Sequence, residues 1–344
     1  MSNQATYIRA QARLHHAYFL GLQLMVSANK PPAFIEEWMF KLFRRQHEDK
    51  FLSSFEKLGL SYLPDAVACA QYHAIANNIG GVGVEYAYEN DQKAWVRFRY
   101  PRWMFDGPTI CGIPVEASRG FLRGWYAHNG VSLNNPKLGF VCVSEDMTGE
   151  FGFCGYFLEH DHELTENTRL RFAKGERPPP FSEAEQPRPP SAQWSEERLE
   201  KANRNYAIEY VRNAVVTLGE LIERDEAVEL ASRAARLIGL QYFQQMRGMV
   251  GTDDGDLNSA TEFMRRMFEG MGDSVEVISP ANTESRLRHS ELRITKNLSA
   301  ERQALVLTCW EHLWIGALAS FQSIKRIRRL DEGKGVIWVI SEEA

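Results

Sequence analysis

The sequence predicts an α+β protein made of two pseudo-repeated halves, each running helices, two strands, a helix and a strand. Three observations predict it. Stretches with apolar residues at helical spacing give way, twice, to short stretches that alternate with period two. Five landmarks recur in the same order along the chain. Between the two sets lies ERPPPFSEAEQPRPPSAQW, which is rich in proline and charge and has almost nothing to bury. The expected boundaries are therefore 1–163 for the first repeat, 164–203 for the linker and 204–344 for the second repeat.

Residues 5–27 carry Leu14, Tyr18, Leu22 and Met25 on one helical stripe. Pro31 and Pro32 end that helix and start another over 33–57, which Gly59 closes. A third helix, 65–78, ends at Gly80-Gly81. Strands follow at Val82–Tyr88 and Lys93–Tyr100, the second with Trp95, Arg97 and Arg99 on one face. A helix over 115–128, a strand at Gly139–Ser144, a loop at Glu145–Glu150 and a strand at Phe151–Leu158 complete the half.

In the second half, helices are expected over 196–222, 226–248 and 258–270. Gly270 and Gly272 fall near Gly80 and Gly81, and Arg286-Leu287-Arg288 falls on Arg97-Phe98-Arg99. A long helix from Ser299 to about Arg328 has Trp310 and His312 where the first half has Trp125 and His128. GKGVIWVISE at 333–342 then answers KLGFVCVSE at 137–145.

Composition bounds the function. With 44% hydrophobic and 11% aromatic residues the chain buries real cores. A formal charge of −5 argues against a nucleic-acid partner. No apolar run reaches the roughly 18 residues that a membrane span needs. The cysteines (69, 111, 142, 154 and 309) are odd in number and form no Cys-x-x-Cys pair, so they read as reduced thiols of a cytoplasmic protein. Gly80, Gly81 and Gly83 follow a helix and precede a strand, the reverse of a dinucleotide-binding turn.

The densest chemistry lies in Val115–Leu164. Glu145, Asp146 and Glu150 follow a strand around a glycine turn, where carboxylates can activate water or hold a divalent cation. The same residues also suit an ordinary hairpin turn. Asp146 is the first choice for a catalytic base, with Glu145 beside it. His128, followed by Asn129, suits a base or ligand, or a helix cap before Gly130. His160 and His162 would share one strand face, as two metal ligands need, or simply end a solvated strand. Cys142 is a nucleophile only if a neighbour lowers its pKa. Arg97, Arg99 and Arg102, interleaved with Trp95, Tyr100 and Trp103, offer guanidinium forks and a stacking wall for a carboxylate, or ion pairs on a wet strand face.

The helix–strand order resembles the 4-vinyl-reductase-like small-molecule-binding domains and the related L-2-amino-thiazoline-4-carboxylic acid hydrolase-like proteins. Gly335-Val336-Ile337-Trp338-Val339-Ile340 and Gly139-Phe140-Val141-Cys142-Val143-Ser144 carry the resemblance. The cysteine that those domains often place in the last strand is Trp338 in the second half and is kept only as Cys142. The resemblance implies a hydrolase that opens a small cyclic C–N substrate, or a non-catalytic ligand-binding module.

The expectation is thus a hydrolase or lyase for a small carboxylate-bearing molecule. Arg97, Arg99 and Arg102 bind the carboxylate, and Trp103, Trp125, Tyr126 and Asn129 line the pocket. Asp146, Glu145, His128 and Cys142 do the chemistry. A divalent metal on His128, Asp146 and His160 is one option. The alternative is a small-molecule-binding or sensing module with the same pocket. A homo-oligomer, or a subunit whose linker wraps another chain, is compatible with either.

Overall fold

The computed structural model describes residues 3–102, 105–146, 150–190, 194–253, 255–280, 283–321, 323–324, 326–333 and 335–342. Helices and sheets are both present, as the periodicity requires. The chain divides into two compact units, Val26–Glu196 and Met1–Met25 with Glu197–Ala344. The N-terminal 25 residues therefore cluster with the second half, not with the first repeat as expected. Among the described residues no helix is long and apolar enough to cross a membrane.

The first helix is α1 (Asn3–Asn29). In the Val26–Glu196 unit, α2 (Pro32–Lys57) and α3 (Asp65–Ile79) precede a hairpin of β1 (Val84–Asn90) and β2 (Lys93–Phe98). Then come α4 (Glu116–Gly124), the short α5 (Asn129–Ser132), and the pair β3 (Leu138–Ser144) and β4 (Cys154–Glu159). The predicted helix 115–128 is broken at Trp125, and residues 126–128 form a single tighter turn. The sheet order is β1-β2-β4-β3-β5, where β5 is Leu170–Phe172 and runs parallel to β3.

That last strand corrects the expected linker. The sheet's outer face carries Trp95, Val141, Val143, Cys154 and Tyr156, which need cover. Ala173 and Phe181 of the proline-rich tract supply it. Gln186 completes the strap, since its amide accepts from the Tyr86 N–H at 2.8 Å and donates to the Tyr86 carbonyl at 2.9 Å. Composition marked the tract as non-helical but not as unattached.

The other unit adds α6 (Glu196–Leu221), α7 (Arg224–Val250), α8 (Leu257–Met271), β6 (Ser274–Pro280), β7 (Glu284–Ser290), α9 (Ala300–Leu318), β8 (Arg326–Glu332) and β9 (Gly335–Ser341). Its sheet order, β6-β7-β9-β8, repeats β1-β2-β4-β3. The long helix expected to reach Arg328 stops at Leu318, because Arg326–Glu332 pairs with β9. β9 accordingly occupies the place of β4, whereas the sequence match sets it on β3. Gly81 (φ 81°) and Gly272 (φ 77°) both close the helix before the first strand in a left-handed turn, which is why glycine recurs there.

In each unit two helices cross at glycines. A methyl group on Gly239 of α7 would overlap the Leu313 carbonyl of α9, and one on Gly316 of α9 would overlap that of Arg236. In the first unit a Cβ on Gly124 would stand 2.6 Å from the Phe40 carbonyl oxygen. Gly124→Ala is expected to destabilise that unit by about 1–3 kcal/mol through overpacking, read as a lowered urea midpoint. An unchanged midpoint would show that the crossing yields.

Candidate functional site

An open cleft of about 160 Å³ lies in the Val26–Glu196 unit, and α2, the α4–α5 region and the lead into β5 line it. Phe40 and Arg44 face it from α2, one helical turn apart. Arg123, Ala127, His128 and Val131 come from the broken helix, and Glu166, Arg169 and Leu170 from the segment before β5. Three guanidinium groups therefore stand against one carboxylate on this lining.

Each arginine is held differently. Arg44 donates from Nε to the Gly124 carbonyl at 3.1 Å and from Nη2 to the Arg123 carbonyl at 3.3 Å. Burial lowers its pKa, and Glu48 and Glu166 oppose that shift. Arg123 pairs with Glu36 at 2.8 Å and lies over the Phe40 ring, 4.5 Å from its centre. Arg44 sits over the same ring at 5.1 Å. The Arg169 Nε is buried and has no hydrogen-bond partner among the described residues. An unsatisfied donor on a cationic fork is costly unless a ligand or solvent serves it.

His128 also lines this cleft. Burial, Arg44 and Arg169 push its pKa down to about 4, and the weaker pull of Glu166 opposes them, so the imidazole is neutral at pH 7. Behind it His47 stands 5.1 Å away, ring to ring, and bonds Ser132 Oγ at 2.9 Å. His73 stacks on Tyr126 (3.8 Å) and Phe157 (5.3 Å), which stack on each other at 5.5 Å, and bonds Asn129 Nδ2 at 2.8 Å. Trp125 and Tyr126 are buried in this aromatic layer and do not line the cleft. Asn129 is likewise a buried partner of His73.

The expected carboxylates sit elsewhere. The Asp146 side chain is fully buried, with Oδ2 2.5 Å from Arg102 Nη1 and 3.4 Å from Ser118 Oγ. Phe98, Phe105 and Phe153 surround that guanidinium at 4.4, 5.0 and 5.3 Å. Burial pushes the Asp146 carboxyl up towards about 7; the adjoining Arg102 charge works against protonation. Glu145 receives both prongs of Arg119, at 2.8 and 3.1 Å. Both acids thus serve as buried halves of ion pairs, and neither meets His128.

The arginine fork does not form. Arg97 binds Glu85 across the β1–β2 hairpin at 2.7 Å and lies 4.3 Å from the Phe181 ring. Arg99 is exposed. Arg102 turns inward to Asp146, and Trp103 lies outside the described residues. The fork fails because β2 ends at Phe98, so residues 97, 99 and 102 share no strand face. Burial raises the Cys142 pKa beyond its usual range, and its thiol donates to the Ser144 carbonyl at 3.4 Å, so it is not an activated thiolate. His160 contacts His162 at 5.3 Å and joins neither Asp146 nor His128. Among the described residues no group of three or more His, Cys, Asp or Glu side chains could hold a metal ion.

Sequence reasoning missed Phe40, Arg44, Arg123, Glu166 and Arg169. The spacing of Phe40 and Arg44 on one helix was a usable signal. Arg169 had none, since it lies at the start of the presumed linker. Also missed was a buried histidine cluster in the other unit. There His289 donates to Asp273 at 2.9 Å and accepts from Trp338 Nε1 at 3.3 Å, while His15 accepts from Trp310 Nε1 at 3.0 Å.

No family model matches the chain, and no curated protein is similar to it.

Proposed function

We propose that the Val26–Glu196 unit binds a small anionic molecule, carboxylate or phosphate, in the Arg44–Arg123–Arg169 cleft, and that the chain is a binding or sensing module for it. The convergence of three guanidiniums on one small cleft, one of them with a buried unsatisfied donor, carries this reading. Phe40 gives the ligand an apolar floor between two cations.

A hydrolytic reading keeps one supporting observation, the neutral His128 on the cleft wall, which can accept a proton. Among the described residues no carboxylate is hydrogen-bonded to His128: Asp146 and Glu145 are bound to Arg102 and Arg119, and Glu166 acts on it only through its charge. Binding therefore ranks first.

The test is calorimetric titration with inorganic phosphate and with succinate at low ionic strength. Arg169→Gln is expected to weaken binding at least about tenfold, the worth of one charge-assisted bond, and to leave the melting temperature unchanged. Affinity should fall as salt rises. Equal affinity in wild type and Arg169→Gln would rule the cleft out.

A further inference from the structure

The two sheets share a strand order, and their outer faces can be compared position by position. In the first unit Arg97 reaches across the hairpin to Glu85 and Phe181 of the strap caps it, while β5 occupies the outer edge of β3. In the second unit Arg288 reaches across to Glu276 at 3.2 Å in the same way, and β8 takes the place of β3. Among the described residues, however, nothing stacks on Arg288, and β8 pairs with β9 alone. Leu330 on that face remains 42% exposed.

We propose that this edge and face bind an extended acidic segment of a partner protein, which adds a strand along β8 and lays an aromatic side chain over Arg288. The strand's backbone is ready for it. β8 keeps an unbroken register with β9 from Arg326 to Glu332, with no bulge or proline to blunt the edge. By contrast, the opposite edge strand β6 is bulged near Val277 and ends in Pro280. Charge selects the occupant. Arg286 is paired with Glu284, and Arg288 with Glu276 and Glu332. Arg326 and Arg328, exposed on the same strand face, have no ionic partner among the described residues. The strap of the first unit shows the pattern that fits: a short apolar strand, prolines, then Phe181 followed by Glu183 and Glu185. A single-stranded nucleic acid suits the face less well, because it interleaves glutamates and has no aromatic platform among the described residues.

The probe is a fluorescent peptide with the sequence of residues 168–187, its four basic residues (Arg169, Arg171, Lys174 and Arg177) changed to glutamate. Expected is saturable anisotropy with the full chain, weakened at least about tenfold by an Arg326→Glu/Arg328→Glu double variant of unchanged melting temperature. Hydrogen exchange should slow at Arg326–Glu332 on binding. Four results would each overturn the proposal. They are no binding up to about 1 mM peptide, equal binding by the double variant, slowing confined to the first unit's strap, and protection of β8 in a peptide-free dimer. Tighter binding of a single-stranded oligonucleotide than of the peptide would assign the face to nucleic acid instead.

Discussion

Lowering the pH from 7 to 5 is expected to cut the melting temperature steeply, by at least about 8 °C between pH 6.5 and 5.5. The cause is a set of histidines buried in the neutral form. Burial pushes His15 to about 4, His16 to about 3 and His73 to about 3. Burial and then neighbouring His128 and His73 push His47 to about 2. Burial and two arginines bring His128 to about 4. Each folded value is below the unfolded value of 6.5 given for the residue type. The unfolded chain therefore binds more protons in the window between them. The stabilisation is complete above pH 6.5 and is lost as the pH falls towards 4, at about 1.4 kcal/mol per pH unit for each histidine. His73→Phe, which keeps an aromatic ring against Tyr126 and Phe157, should flatten the pH dependence by about one proton. Melting curves at constant ionic strength provide the check, and a flat profile between pH 7 and 5 would refute the buried neutral assignment.

The second large effect concerns Arg102 and Asp146. Arg102→Met or Asp146→Asn is expected to cost the Val26–Glu196 unit about 3–5 kcal/mol, since each leaves a buried polar or charged group without its partner. The double replacement Arg102→Met/Asp146→Leu should lie closer to the wild type than either single variant. The phenylalanines around the guanidinium already form an apolar box. Urea midpoints of the four proteins would test this. An Asp146→Asn variant with an unchanged midpoint but lost ligand binding would show that Asp146 belongs to the functional site and not to the core.

Particular residues show how far sequence reasoning reached. The glycines at 81 and 272 and the alternation through Trp95–Phe98 report local backbone requirements, and both can be read from one dimension. His128, a histidine at an expected helix end before Gly130, is legible as a local signal and lines the cleft. Asp146 was chosen for its place after a strand, and its actual role depends on Arg102, 44 residues away in the chain. The strap was read as a linker because prolines and charges look unattached, while its attachment rests on Phe181 and Gln186, which meet the sheet only after folding.

By itself the sequence determined the mixture of helix and strand, the two hairpins that each follow a helix and a glycine turn, and the supply of arginines and histidines. These follow from side-chain periodicity and turn chemistry, which act over a few residues. Only the tertiary structure decided which arginine meets which acid, that the first 25 residues cluster with the second half, and that Arg44, Arg123 and Arg169 converge on one cleft. Those outcomes depend on long-range packing and on the low polarity of buried sites. Burial turns carboxylates into ion-pair partners and holds histidines neutral, and no local pattern encodes it.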